Sequence, residues 1–199
     1  MSTELAEAYP LRRREVAKRL NDASGDTLIV TGIGSTSWDF TAAGGGPHIF
    51  PLWGAMGGAA MVGLGLALSQ PERPVLVFTG DGEQLMGMGG LATIGVAKPD
   101  NLVIIVLNNE YYGETGMQRS HAGRGVDLVA VAAACGLENS RRITDYVGIK
   151  ELCVNMHQRA GAIYAEIMID AHEPRRVLPP RDGVFIKNRF RRSLGFAPI

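Results

Sequence analysis

Short apolar runs bounded by turn-forming residues set the rhythm of this chain. The clearest are residues 27–31, 75–79, 102–107 and 162–169, rich in Val, Ile and Leu and almost free of polar alternation. Runs of that length and composition are buried on both faces, as parallel strands are. Helical spacing fills the intervals. Leu11, Val16 and Leu20, begun by Pro10, predict a helix with Arg12, Arg13 and Lys18 on a solvated outer face. Further helices are expected from Trp38, over 54–68 ending before Pro71, over 91–97, over 127–135 capped by Asp127, and over 145–158. Residues 47–51 and 141–144 read as short extended pieces, and residues 1–9 as a loose lead-in. Alternating strands and helices predict an α/β class, a three-layer sandwich whose central, mostly parallel sheet has helices on both faces.

Composition narrows the setting without naming a chemistry. With 199 residues, the chain has room for one sizeable core. Its formal net charge is zero, so no global field draws nucleic acid or an anionic membrane. The sequence shows no signal core and no apolar run long enough to span a bilayer. Cys135 and Cys153 have no metal or redox spacing and suit a reducing compartment, which makes cytoplasmic the expected location. Residues 1–170 are expected to form the domain. Residues 171–199, without clear periodicity yet carrying Phe185, Ile186, Phe190, Leu194 and Phe196, are expected to form an arm on a partner subunit.

Candidate chemistry gathers at two strand ends. The run from Val75 leads into Gly80-Asp81-Gly82, and the run from Leu102 leads into Asn108-Asn109. Ligands of open α/β sheets bind at the carboxyl ends of strands. One carboxylate, side-chain amides and bare backbone are oxygen donors suited to Mg²⁺, which leaves positions for phosphate and water. A second signal is the turn Gly32-Ile33-Gly34 before Ser35 and Thr36, which reads either as a cradle for a diphosphate or as an ordinary helix cap. The polar stretch 110–121 is too long for a mere connection.

Gly80-Asp81-Gly82 followed after 25 residues by Asn108-Asn109 resembles the cofactor signature of thiamine diphosphate (ThDP) enzymes, in their diphosphate-binding domain. The resemblance implies ThDP and Mg²⁺ as cofactors, with Asp81, Asn109 and the Tyr111 carbonyl as metal ligands. It implies contacts to the cofactor from Gly34, Ser35, Thr36, Gly80, Gly82 and Gly113. Gly54-Ala55-Met56-Gly57 resembles the segment that sets a bulky apolar side chain, here Met56, beneath the cofactor. Glu83 stands where many relatives carry a small residue, and it either points away or meets the metal's water shell. The run Tyr112-Gly113-x-Thr115-Gly116-x-Gln118 is similar to the loop of sulfopyruvate and phosphonopyruvate decarboxylases. It is also similar to 2-oxoacid:ferredoxin oxidoreductase β subunits, but two cysteines cannot hold an iron–sulfur cluster.

In this family a glutamate of a separate pyrimidine-binding domain activates the cofactor, and the length of this chain leaves no room for that domain. The resemblance therefore implies one subunit of a hetero-oligomeric 2-oxo acid decarboxylase, its partner supplying the glutamate. His48, Glu114, Gln118 and His121 are the candidates for facing the substrate, the histidines because imidazole titrates near neutrality. Arg119 and Arg124 read as solvated loop residues. Alternatives are an acetolactate-synthase-like carboligase subunit and a non-catalytic nucleotide-binding module.

Overall fold

The computed structural model describes residues 9–199, so most of the expected lead-in lies outside the described residues. Six strands form one parallel sheet in the order β2-β1-β3-β4-β8-β7. They are β1 (Leu28–Thr31), β2 (Ile49–Pro51), β3 (Val75–Gly80), β4 (Leu102–Asn108), β7 (Asn139–Ile143) and β8 (Ile163–Met168). Alternate residues of the inner strands feed two cores. Leu76 and Phe78 of β3 face α1 (Arg13–Ala23), α2 (Ser35–Ala42) and α7 (Tyr146–Asn155). Val75 and Val77 face α3 (Ala59–Ser69), α5 (Gly90–Ala97) and α6 (Leu128–Ala134). This is the expected three-layer sandwich, and burial on both faces explains why the strands read as unbroken apolar runs. Among the described residues no helix is long and apolar enough to cross a membrane.

Two helices start elsewhere than the spacing predicted. The second, α2, begins at Ser35 rather than Trp38, because Gly34 at φ +66° turns the chain sharply enough to start it three residues earlier. The third, α3, begins at Ala59 rather than residue 54. Gly54, Ala55 and Gly57 have positive φ (77°, 49° and 87°), which a right-handed helix excludes. A short helix, α4 (Asp81–Met86), follows β3 directly, and the stretch 110–121 contains a hairpin of β5 (Tyr111–Tyr112) and β6 (Gln118–Arg119).

The C-terminal segment carries a helix that its sequence pattern did not predict. Residues 171–199 include a helix, α8 (Gly183–Ser193), whose first amides Val184 and Phe185 donate to the Asp182 carboxylate. It buries Ile186 and Phe190 beside the edge strand β2, with Phe190 set edge-on to Phe50 at 5.4 Å. Arg189 donates to the Ile49 carbonyl and Arg73 to that of Ser193. Phe190→Ala should therefore cost about 3 kcal/mol of unfolding free energy. Urea unfolding followed by circular dichroism measures this, and an unchanged midpoint would mean that α8 is not part of the core.

Candidate cofactor and metal site

Sheet register brings the two strand-end signals together. Gly80 of β3 pairs with Leu107 of β4, so the residues that follow leave the sheet side by side. Asp81 and Asn109 line one cavity of ≈ 330 Å³ at the carboxyl ends of the strands, with Gly80, Gly82, Tyr111 and Gly113 on the same wall.

Asp81 opens α4 with its side chain turned inward, and the residue is 3 % exposed. Burial pushes its carboxyl up to about 6, helped by the nearby Glu166 charge, although Ser120 and the amides of Gly82 and Asp81 pull the other way. Ser120 Oγ donates to Oδ2 at 2.6 Å. A carboxylate this desolvated gains from a cation. Asn108 and Asn109 separate in role. Asn108 Nδ2 donates to Glu166 Oε1 and its Oδ1 accepts from Glu110 N–H, which ties it into the framework. Asn109 accepts from the Tyr111 amide at 2.9 Å, which orients its amide group beside the cavity. Among the described residues no three His, Cys, Asp or Glu side chains converge. The donor set is one carboxylate, one amide and backbone carbonyls, which fits Mg²⁺ completed by phosphate and water and does not fit zinc.

Beside this wall, the turn before α2 is held from below. Glu83, 5 % exposed, accepts from the Ile33 amide at 2.9 Å and from Thr79 Oγ1 at 2.7 Å. Burial raises its carboxyl, and those two bonds oppose the rise. Glu83 thus faces this turn while still lining the cavity, and a Cβ on Gly32 would fall 1.8 Å from its Oε2. Ser35 reaches the cavity, while buried Thr36 bonds back to the Ile33 carbonyl and does not line it. Gly34 meets the rim, where an added Cβ would strike the Glu114 carboxylate. Gly54 is off the wall, but the left-handed bend it shares with Ala55 and Gly57 carries Met56 into the cavity lining, 67 % exposed.

The four expected substrate-facing residues divide. Glu114 lines the cavity. His121 stands behind it, its Nδ1 hydrogen-bonded to Tyr112 Oη, and Tyr112 is a wall residue packed over Gly82. Gln118 is spent closing the hairpin, accepting from Thr115 Oγ1 and donating to the Thr115 carbonyl. His48 is a correction. Its carbonyl accepts from Ile29 N–H, so it sits where β1 and β2 begin, at the end of the sheet opposite the cavity. Burial, with Arg73 and Arg189 nearby, lowers its pKa, so the neutral ring is favoured in a structural setting. Sequence reasoning missed Ser120, Tyr112, Trp38 and Arg13. Tyr112 was inside a recognised motif, whereas Ser120 meets Asp81 across 39 positions and left no local signal.

Comparison with known proteins agrees with this geometry. The family described as thiamine pyrophosphate enzyme, C-terminal TPP binding domain, matches residues 32–167. The sulfopyruvate decarboxylase subunit beta of Methanothermobacter thermautotrophicus is 40% identical over 135 residues, 68% of this chain and 72% of that one. The phosphonopyruvate decarboxylase of Streptomyces viridochromogenes is 44% identical over 129 residues, 65% of this chain but 32% of that one, so the chain spans about a third of that relative. Among solved structures, benzoylformate decarboxylase from Polynucleobacter necessarius superposes with a TM-score of 0.69 at 21% identity, over 87% of this chain and 36% of that one, which establishes the fold. With the strand-end carboxylate, the paired amide and the matched domain in agreement, this chain belongs to the thiamine pyrophosphate enzymes, through their C-terminal TPP-binding domain.

Proposed function

We propose that this chain is the diphosphate-binding subunit of a Mg²⁺- and ThDP-dependent decarboxylase for a 2-oxo acid of the sulfopyruvate or phosphonopyruvate type. It works with a separate pyrimidine-domain subunit that supplies the activating glutamate. The observation that carries this reading is the buried, cation-seeking Asp81 sharing a cavity wall with Asn109 at adjacent strand ends. Relatives named subunit beta support the two-chain arrangement. ThDP, when bound, supplies the electron sink for loss of CO₂.

The chain's own residues bind and orient. Asp81, Asn109 and the Tyr111 carbonyl hold the cation. Ser35, Gly82 and Gly113 border the space for the diphosphate, and Met56 gives the cofactor an apolar support. Glu114 and the Tyr112–His121 pair stand at the loop that faces the substrate, where the imidazole can hold or deliver a proton.

Asp81 makes a stability prediction with a defined sign. Its folded pKa is above the ordinary 3.8, so its contribution is most favourable at low pH and is lost as pH rises from about 4 through about 6. Without cofactor, Asp81→Asn should be more stable than the parent at pH 8 by up to about 3 kcal/mol, and the gap should close near pH 4. Thermal unfolding across pH measures it. Mg²⁺ with ThDP should then stabilise the parent and leave Asp81→Asn unmoved, and equal stabilisation of both would refute the metal assignment. A reconstitution tests the split site. The purified chain should release no CO₂ from 3-sulfopyruvate with ThDP and Mg²⁺ until a separate pyrimidine-domain subunit is added. Full turnover by the lone chain would overturn the two-subunit reading.

A further inference from the structure

Arg13 does not lie on a solvated face. It is 7 % exposed and is the one basic side chain on the cavity wall among the described residues. The first turn of α1 brings it against α2, where its Nε lies 3.2 Å from Asp39 Oδ2, although neither atom has an aligned hydrogen-bond partner among the described residues. Asp39 is fully buried and already shared, since Arg14 Nε donates to its Oδ1 at 3.2 Å. Asp170, the other buried carboxylate whose charge reaches Arg13, is paired with Arg12 at 2.8 Å, so three guanidinium groups share two carboxylates and one positive charge is in excess.

The rest of the wall contrasts with Arg13. Its other ionisable carboxyls are Asp81, Glu83, Glu114 and Glu173. In the proposed function Asp81 goes to the cation, Glu83 is held by Ile33 and Thr79, and Glu114 and Glu173 are exposed. An anion that enters the cavity therefore meets a single cationic side chain. Trp38, 6 % exposed, forms the adjoining wall, with the Arg176 guanidinium stacked on its ring at 4.4 Å. A planar guanidinium whose Nε has no aligned partner among the described residues matches a tetrahedral oxyanion far better than it matches the misaligned Asp39 carboxylate beside it.

We propose that Arg13, braced by Asp39 at the back of the cavity, is an anion subsite that takes a tetrahedral oxyanion of a bound ligand. This deepens the decarboxylase reading and rests on it. Two groups in that reading share the chemistry: the diphosphate of the cofactor, and the sulfonate or phosphonate of the substrate.

The test uses the complex with the pyrimidine-domain subunit and the variant Arg13→Gln/Asp39→Asn, which removes both partners so that neither is left buried alone, with Arg13→Lys as the charge-retaining control. A rise of about tenfold or more in KM for 3-sulfopyruvate, with pyruvate (as substrate or competitor) and ThDP affinity unchanged, assigns the subsite to the substrate's acid group. A rise of similar size in the ThDP dissociation constant, measured by calorimetry with Mg²⁺, with thiamine binding unchanged, assigns it to the diphosphate. Arg13→Lys should recover part of either loss. Both constants staying within about twofold in a folded variant would overturn the proposal. Calorimetry of the full chain with inorganic pyrophosphate and with sulfate separates the two readings. If the parent binds no ThDP, the decarboxylase reading fails, whereas anion binding lost in the variant keeps the subsite.

Discussion

A carboxylate held out of water with no basic side chain paired to it among the described residues is the constraint on which this structure turns. Of the acids buried near the carboxyl ends of the central strands, Glu166 and Asp81 are treated differently. Glu166 on β8 is answered by Arg142 at 2.7 Å and by the Asn108 amide. Asp81 has a serine hydroxyl and backbone amides, too little to offset its desolvation. The first arrangement is a finished piece of framework. The second is a charge kept in readiness, and unequal treatment of neighbouring acids is how a fold marks a functional site.

What surrounds Asp81 follows from the need to hold backbone close to a ligand. Gly34 permits the turn that begins α2, and Gly32 leaves space for the Glu83 carboxylate beneath that turn. Glu83 then links the turn to β3, so two walls of the cavity are tied together. Met56 is brought to the cavity by a left-handed bend instead of a helix, and it is left facing water. An exposed thioether on a cavity wall suits a bound cofactor above it, because Met adapts its shape to what it touches.

Sequence alone carried the strands and the Asp81–Asn109 pairing, because strands buried on both faces have an unmistakable composition and register then fixes which ends meet. Helix starts were less legible. A glycine in the sequence does not disclose its φ, so Gly34 and the bend at residues 54–57 moved the beginnings of α2 and α3. Arg13 looked solvated because spacing gives the phase of a helix but not what lies opposite, and here that is a buried aspartate. The last helix went unseen because only Ile186 and Phe190, four apart, are buried among its arginines. His48 was misplaced for a related reason: residue type suggested chemistry, and only the pairing of β2 with β1 reveals which end of the sheet it occupies.

The docking of α8 on β2 has a consequence for how this molecule can associate. An open sheet can recruit a foreign strand at either border. Here one border lies beside a helix held by Phe190 and Arg189. At the other, β7 carries Arg141 and Arg142, charges that discourage a strand from another copy. Growth into fibrils by strand addition is thus opposed at both margins, and assembly is left to the layers of helices and to the loops around the cavity.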